Sequence, residues 1–143
     1  MHGKRGFTLL EILVVVLIIS VLATIVGVAV AKRPGEARVA AAKAQIRIFK
    51  TALELYRMEQ GMVPTQQQGL RALCHKPEVP PFPPRYPEEG YLSSREVPLD
   101  PWGHEYVYMA PARDGSAYEI LTYGADGQPG GTGEDADISS ADL

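Results

Sequence analysis

From Phe7 to Ala31 the chain is an apolar run whose single ionisable residue is Glu11, and few folds can accommodate it. From Ile12 to Ala31 there is no charge at all. As a helix rising about 1.5 Å per residue, that stretch reaches roughly 30 Å, the thickness of a bilayer's hydrocarbon core. Its β-branched residues lower helix propensity in water. In lipid the backbone must satisfy its own hydrogen bonds, so one spanning helix is the expected state. The run is too long for a cleavable secretory signal, whose apolar core is shorter and ends at small residues. Lys4 and Arg5 on the short leading flank favour a cytoplasmic N-terminus, although Lys32 and Arg33 beyond the run weaken that bias.

Glu11 is the residue a simple membrane anchor does not explain. An acid in a membrane helix costs about 2.5 to 3.5 kcal/mol near the centre and less near the end, and it calls for a partner. Cutting the chain between Gly6 and Phe7 would create an amine four residues before Glu11, and identical copies could then exchange opposite charges within a shared apolar core. The string Gly6-Phe7-Thr8-Leu9-Leu10-Glu11, with the run behind it, resembles the class III signal of type IV pilins and pseudopilins. That resemblance implies a prepilin peptidase that cleaves after Gly6 and N-methylates Phe7, and it implies that Glu11 serves assembly. Family members commonly carry a proline where this chain has Gly27 and Val28. Gly27 is the expected weak point for helix melting, since glycine costs roughly 1 kcal/mol relative to alanine in a helix interior.

Beyond the run, Pro34 either kinks the helix or opens a new segment. Val39, Ala42, Ile46, Phe49, Leu53 and Tyr56 recur at spacings of three and four, the apolar stripe of a helix packed on a core. Gly61 and Pro64 end it. Thr65 to His75 reads as a short helix over that core. The prolines between Pro77 and Pro87 favour an extended connector, because each fixes φ and removes a donor. Tyr106 to Met109 and Tyr118 to Tyr123 read as antiparallel strands, with Arg113-Asp114-Gly115-Ser116 turning between them. The expected fold is α+β: a long N-terminal helix, with a transmembrane half and an amphipathic half, packed on a small antiparallel sheet in a type IV pilin-like head. The domains are a leader over 1–6, a membrane or filament-core helix over 7–33, the amphipathic half over 34–62 and a periplasmic head over 63–143.

Charge and composition narrow the function. The formal net charge is -3, and no dense basic stripe exists to neutralise nucleic-acid phosphates. With the leader removed, 12 basic groups face 17 acidic ones. The one cysteine, Cys74, cannot form an intrachain disulfide and reads as a small buried apolar residue. His75 and His104 lie far apart, and His104-Glu105 lacks the two-histidine spacing of a zinc protease. Trp102, between proline and glycine, reads as a turn anchor. No nucleophile, base and orienting acid stand together, so the expectation is a protein that catalyses nothing.

Asp126 to Asp137 is rich in glycine and acids, offering hard oxygen ligands of the kind calcium takes. An EF-hand is excluded, because Gln128 and Gly130 occupy ligand positions and no paired helices flank the loop. On these residues alone, a cation site and a solvated acidic loop both remain open.

The order of Tyr56, Pro64-Thr65, Gln68-Gly69-Leu70, the proline-rich loop, Gly90-Tyr91-Leu92, Asp100-Pro101-Trp102-Gly103, Tyr106 and Gly124-Ala125-Asp126-Gly127 resembles the major pseudopilins of type II secretion. The resemblance implies calcium held by Asp126 and Asp137 with the Tyr123 carbonyl, and with Asp135 as a further candidate. Ser139-Ser140-Ala141 departs from the Gly-Asn-Trp ending common there. It also implies an inner-membrane precursor that polymerises into a homo-oligomeric periplasmic filament, with minor pseudopilins at the tip and an inner-membrane assembly platform. An adhesive or DNA-uptake pilin, and a monomeric membrane-anchored calcium-binding domain, are the competing readings.

Overall fold

The computed structural model describes residues 7–143, except for the side chains of 24–33. Gly6, on the leader side of the expected cleavage site, lies outside the described residues, as does the side chain of Val28; the helix backbone runs through Gly27. One helix, α1, spans Leu9–Gln60 and contains Pro34. Pro34 therefore does not open a second helix. It removes one backbone bond and crowds the carbonyl four residues back, a local cost that the helix ladder on both sides absorbs. Among the described residues no helix is long and apolar enough to cross a membrane, and the expected span from Ile12 to Ala31 runs on into the undescribed side chains.

The chain divides into two compact units between Glu36 and Ala37. In the first, every described side chain from Phe7 to Ala23 is exposed. In the second, Ala42, Ile46, Phe49, Leu53 and Tyr56 of α1 are buried, with Val39 packed partly against them. Each large apolar side chain so buried contributes about 1.5 to 3 kcal/mol relative to exposure. The helix stops at Gln60 because Gly61, at φ 78°, enters the left-handed region and donates its N–H to the Arg57 carbonyl at 2.8 Å.

Opposite the helix lies a three-stranded antiparallel sheet of β1 (Val107–Met109), β2 (Glu119–Thr122) and β3 (Ile138–Ser139), in that order. Val107 pairs with Leu121, and Leu121 with Ser139. The paired Tyr108 and Ile120 are both buried against α1, as strand alternation requires. Phe49 meets Tyr106 edge-on, with ring centroids 5.1 Å apart. The turn before β2 closes as expected, with Asp114 Oδ1 accepting the Ser116 N–H at 2.9 Å.

Three expectations are corrected. The helix expected over Thr65 to His75 is only a 3₁₀ turn, Leu70–Leu73. Thr65 and Gln68 make a reciprocal cap, each side-chain oxygen accepting the other's N–H, but Gly69 at φ 59° breaks the helical path at once. The strands are shorter than Tyr106–Met109 and Tyr118–Tyr123 at their ends. The third strand was not foreseen, because two residues are too few to show alternation.

Candidate functional site

At the N-terminal end, Phe7 is 77% exposed and precedes the helix. Thr8 Oγ1 accepts the Glu11 N–H at 3.2 Å, and the Thr8 carbonyl accepts the Ile12 N–H at 3.2 Å. Thr8-Leu9-Leu10-Glu11 is thus an N-terminal capping sequence, a local role that the reading of Glu11 as an assembly residue overlooked although the motif was legible. Glu11 also lies in the first turn, where the helix dipole favours a negative charge. It is exposed, as are the apolar side chains around it.

The acidic loop runs from Tyr123, just past β2, to Asp137, just before β3. Its path needs glycine. At Gly124, φ 70°, a Cβ would strike the Glu134 carbonyl, and at Gly131, φ 82°, it would strike the Asp135 carbonyl. Asp126 Oδ1 accepts the Gln128 N–H and Asp137 Oδ1 accepts the Gly130 N–H, both at 2.9 Å. Each carboxylate keeps its second oxygen outside these bonds. Asp126, Asp135 and Asp137 are exposed and Tyr123 is half-buried. None of the loop's backbone hydrogen bonds uses the Tyr123 carbonyl. Among the described residues no three His, Cys, Asp or Glu side chains are grouped to hold a metal ion. The donor chemistry fits a hard cation that draws on two carboxylates and backbone carbonyls.

A second loop, residues 100–104, locks against the first. Asp100 is 5% exposed. Its Oδ1 accepts the Trp102 N–H at 3.0 Å and the His104 N–H at 2.8 Å, and its Oδ2 accepts the Thr122 hydroxyl at 2.5 Å. These three donors offset the cost of burying a carboxylate. The Thr122 hydroxyl in turn accepts the Gly124 N–H at 3.3 Å, and His104 Nδ1 lies 3.2 Å from the Gly124 carbonyl. Trp102 Nε1 reaches Glu134 Oε2 at 3.5 Å, and Arg38 of α1 lies 3.9 Å from the same oxygen. Asp100, Thr122 and His104 therefore set the start of the acidic loop. Sequence reasoning assigned them no role there, because their link spans about twenty residues. Trp102 is the turn anchor expected of it and packs against the core. Cys74 is buried, and desolvation pushes its thiol pKa up, against a smaller opposing effect of a hydrogen bond with Ser94.

Comparison with known proteins bears on the family and the fold. The family model for type II secretion system protein G matches residues 29–141, and that for the prokaryotic N-terminal methylation motif matches residues 1–27. The type II secretion system core protein G of Pseudomonas aeruginosa is 43% identical over 139 residues, spanning 97% of this chain and 96% of that protein. Its counterpart in Vibrio cholerae is 40% identical over 143 residues, spanning 100% of this chain and 95% of that one. The crystal structure of the major pseudopilin from the type 2 secretion system of enterohaemorrhagic Escherichia coli superposes with a TM-score of 0.66 at 35% identity, covering 78% of this chain and 92% of that one. With relatives matched along nearly its whole length, the chain belongs to the type II secretion system protein G family, the major pseudopilins.

Proposed function

We propose that this chain is a structural subunit, with no catalytic step of its own, that polymerises into a periplasmic pseudopilus driving protein export. It waits in the inner membrane with its N-terminus in the cytoplasm and its head in the periplasm. A prepilin peptidase cuts between Gly6 and Phe7 and methylates Phe7. The observation that carries this reading is the exposed apolar segment from Phe7 to Leu22, interrupted by one acid. Such a surface is stable only in lipid or against other copies. In a filament the Phe7 amine of one copy neutralises Glu11 of its neighbour, in surroundings where an unpaired charge is costly. An inner-membrane assembly platform adds subunits, and minor pseudopilins begin the tip.

Mass spectrometry of the membrane-extracted protein tests the processing: the expected species begins at methylated Phe7, and an intact Met1 in an assembled fibre contradicts it. Glu11→Leu is expected to abolish polymer and export; normal assembly of that variant would sink the charge-pairing mechanism.

The acidic loop is proposed to hold calcium through Asp126, Asp137 and the Tyr123 carbonyl, with Asp135 as a further candidate. A bound ion would supply the positive charge that draws these oxygens together and stabilises the folded head by mass action. Support comes from the exposed residues Asp126 and Asp137, each with one carboxylate oxygen outside the loop's hydrogen bonds, and from a glycine-rich path between them. Chelation should lower the melting temperature of the detergent-extracted full chain; an unchanged melting curve against saturating calcium would exclude a structural ion.

A further inference from the structure

We propose that Asp100, Thr122 and His104 are positioning residues for the cation site of the acidic loop, an inference that rests on the calcium reading above. None of the three is a candidate ligand; they hold the Tyr123 carbonyl and the segment around Asp126 where an ion can take them. Thr122 is 1% exposed, and the single hydrogen of its hydroxyl is given to Asp100 Oδ2. Its oxygen is left to accept, and the donor it meets is the Gly124 N–H at 3.3 Å. That N–H belongs to the same planar trans peptide unit as the Tyr123 carbonyl. Fixing the direction of one therefore fixes the other, which points the opposite way.

The next peptide unit is held at both ends. Its carbonyl, that of Gly124, lies 3.2 Å from His104 Nδ1, and its N–H, that of Ala125, donates to the Glu134 carbonyl at 2.9 Å. A carbonyl only accepts, so Nδ1 carries the hydrogen in this bond. Asp100 Oδ2, 3.8 Å from Nδ1, is beyond hydrogen-bond reach. The same ring lies beside Gly127, where an added Cβ would stand 3.3 Å from His104 Cε1. His104 thus meets the loop on both sides of Asp126. The Ala125 bond joins this departing limb to the returning limb that carries Asp135 and Asp137. One buried carboxylate governs both supports, because Asp100 Oδ1 accepts the His104 N–H while Oδ2 accepts the Thr122 hydroxyl. A loop aimed in advance loses less freedom when it takes up a ligand, so these bonds raise affinity without touching the ion.

The test titrates calcium into the chelator-stripped, detergent-extracted full chain by calorimetry, at a temperature where circular dichroism shows the chain folded. Thr122→Val removes the hydroxyl at nearly constant shape and is expected to weaken calcium binding by about 10- to 100-fold, the range for groups that hold a metal's ligands. Thr122→Ser keeps the hydroxyl and should bind close to the parent. His104→Ala, at a more exposed position, should weaken binding as well, and His104→Asn, which keeps an amide donor near the place of Nδ1, should recover most of it. A purely structural role gives a different pattern: a lower metal-free denaturant midpoint with the calcium affinity of the folded chain unchanged. That pattern overturns the proposal, as does a Thr122→Ser chain that binds as weakly as Thr122→Val. Should Thr122→Val fail to fold, the His104 variants decide, and equal affinity in His104→Ala and the parent overturns it. A parent chain that takes up no calcium removes the ion reading itself.

Discussion

Asp100 illustrates, for one side chain, how a buried charge can organise two loops. Its three accepted hydrogen bonds hold the 100–104 turn closed and, through the Thr122 hydroxyl, fix the residue from which the acidic loop departs. Asp100→Ala leaves three donors without their acceptor, and a loss of about 3 kcal/mol is expected, the range for bonds to a charged group. Asp100→Asn should cost less, because it retains one acceptor oxygen. Denaturant midpoints of the two variants check this, and equal losses would mean that the one oxygen Asn retains contributes nothing. Gly124 depends on backbone space in the same way, since no L side chain fits against the Glu134 carbonyl at its positive φ. Gly124→Ala should therefore displace residues 132–136, visible as faster amide exchange there, and unchanged exchange would show that the loop can yield.

At the scale of elements, α1 supplies the core of the head on one face and leaves the opposite face to solvent. The sheet is small, and β3, only two residues long, would be weakly held by its ladder alone. Two further attachments hold it. The Ser140 hydroxyl accepts the Ile120 N–H at 2.9 Å, and Lys50 of α1 donates to the Ser140 and Leu143 carbonyl oxygens at 3.1 and 2.6 Å. Lys50→Met keeps the stem of the side chain but removes the charged donor, so a loss of about 1.5 to 3 kcal/mol is expected, together with faster exchange at Ile138 to Leu143. Exchange no faster than in the parent would reduce Lys50 to a surface charge. On the far side of the head, Gln68 Nε2 donates to the Val79 and Pro81 carbonyls at 2.9 Å each, tying down a connector whose prolines offer no donors of their own.

For the whole molecule, the tyrosines make stability depend on alkaline pH. Burial raises the phenol pKa of Tyr86, Tyr91 and Tyr118 to about 12, and raises those of Tyr106 and Tyr108 further. In the unfolded chain these groups titrate near the ordinary phenol value of 10.0. The native state therefore holds their protons at a pH where the unfolded state has released them, so the stability these tyrosines contribute is fully present below about pH 10 and is lost progressively as the pH rises through about 12. Denaturant midpoints measured across that window check the sign, and a constant midpoint would show that the hydroxyls ionise without unfolding. Much of this molecule was legible in sequence for simple physical reasons. The uncharged run, the three-and-four stripe from Val39 to Tyr56 and the β-favouring residues Tyr106 to Met109 are local signals, and local signals follow from backbone geometry and side-chain shape. The capping role of Thr8 was equally local and legible, though unread. The long helix, its buried face and the acidic glycine-rich loop all follow from residue order alone. That β3 closes the sheet, that Lys50 and Ser140 hold it, and that Asp100, Thr122 and His104 set the loop's point of departure emerge only in the folded head, because each is a pairing across about twenty residues or more that chain-local chemistry does not encode.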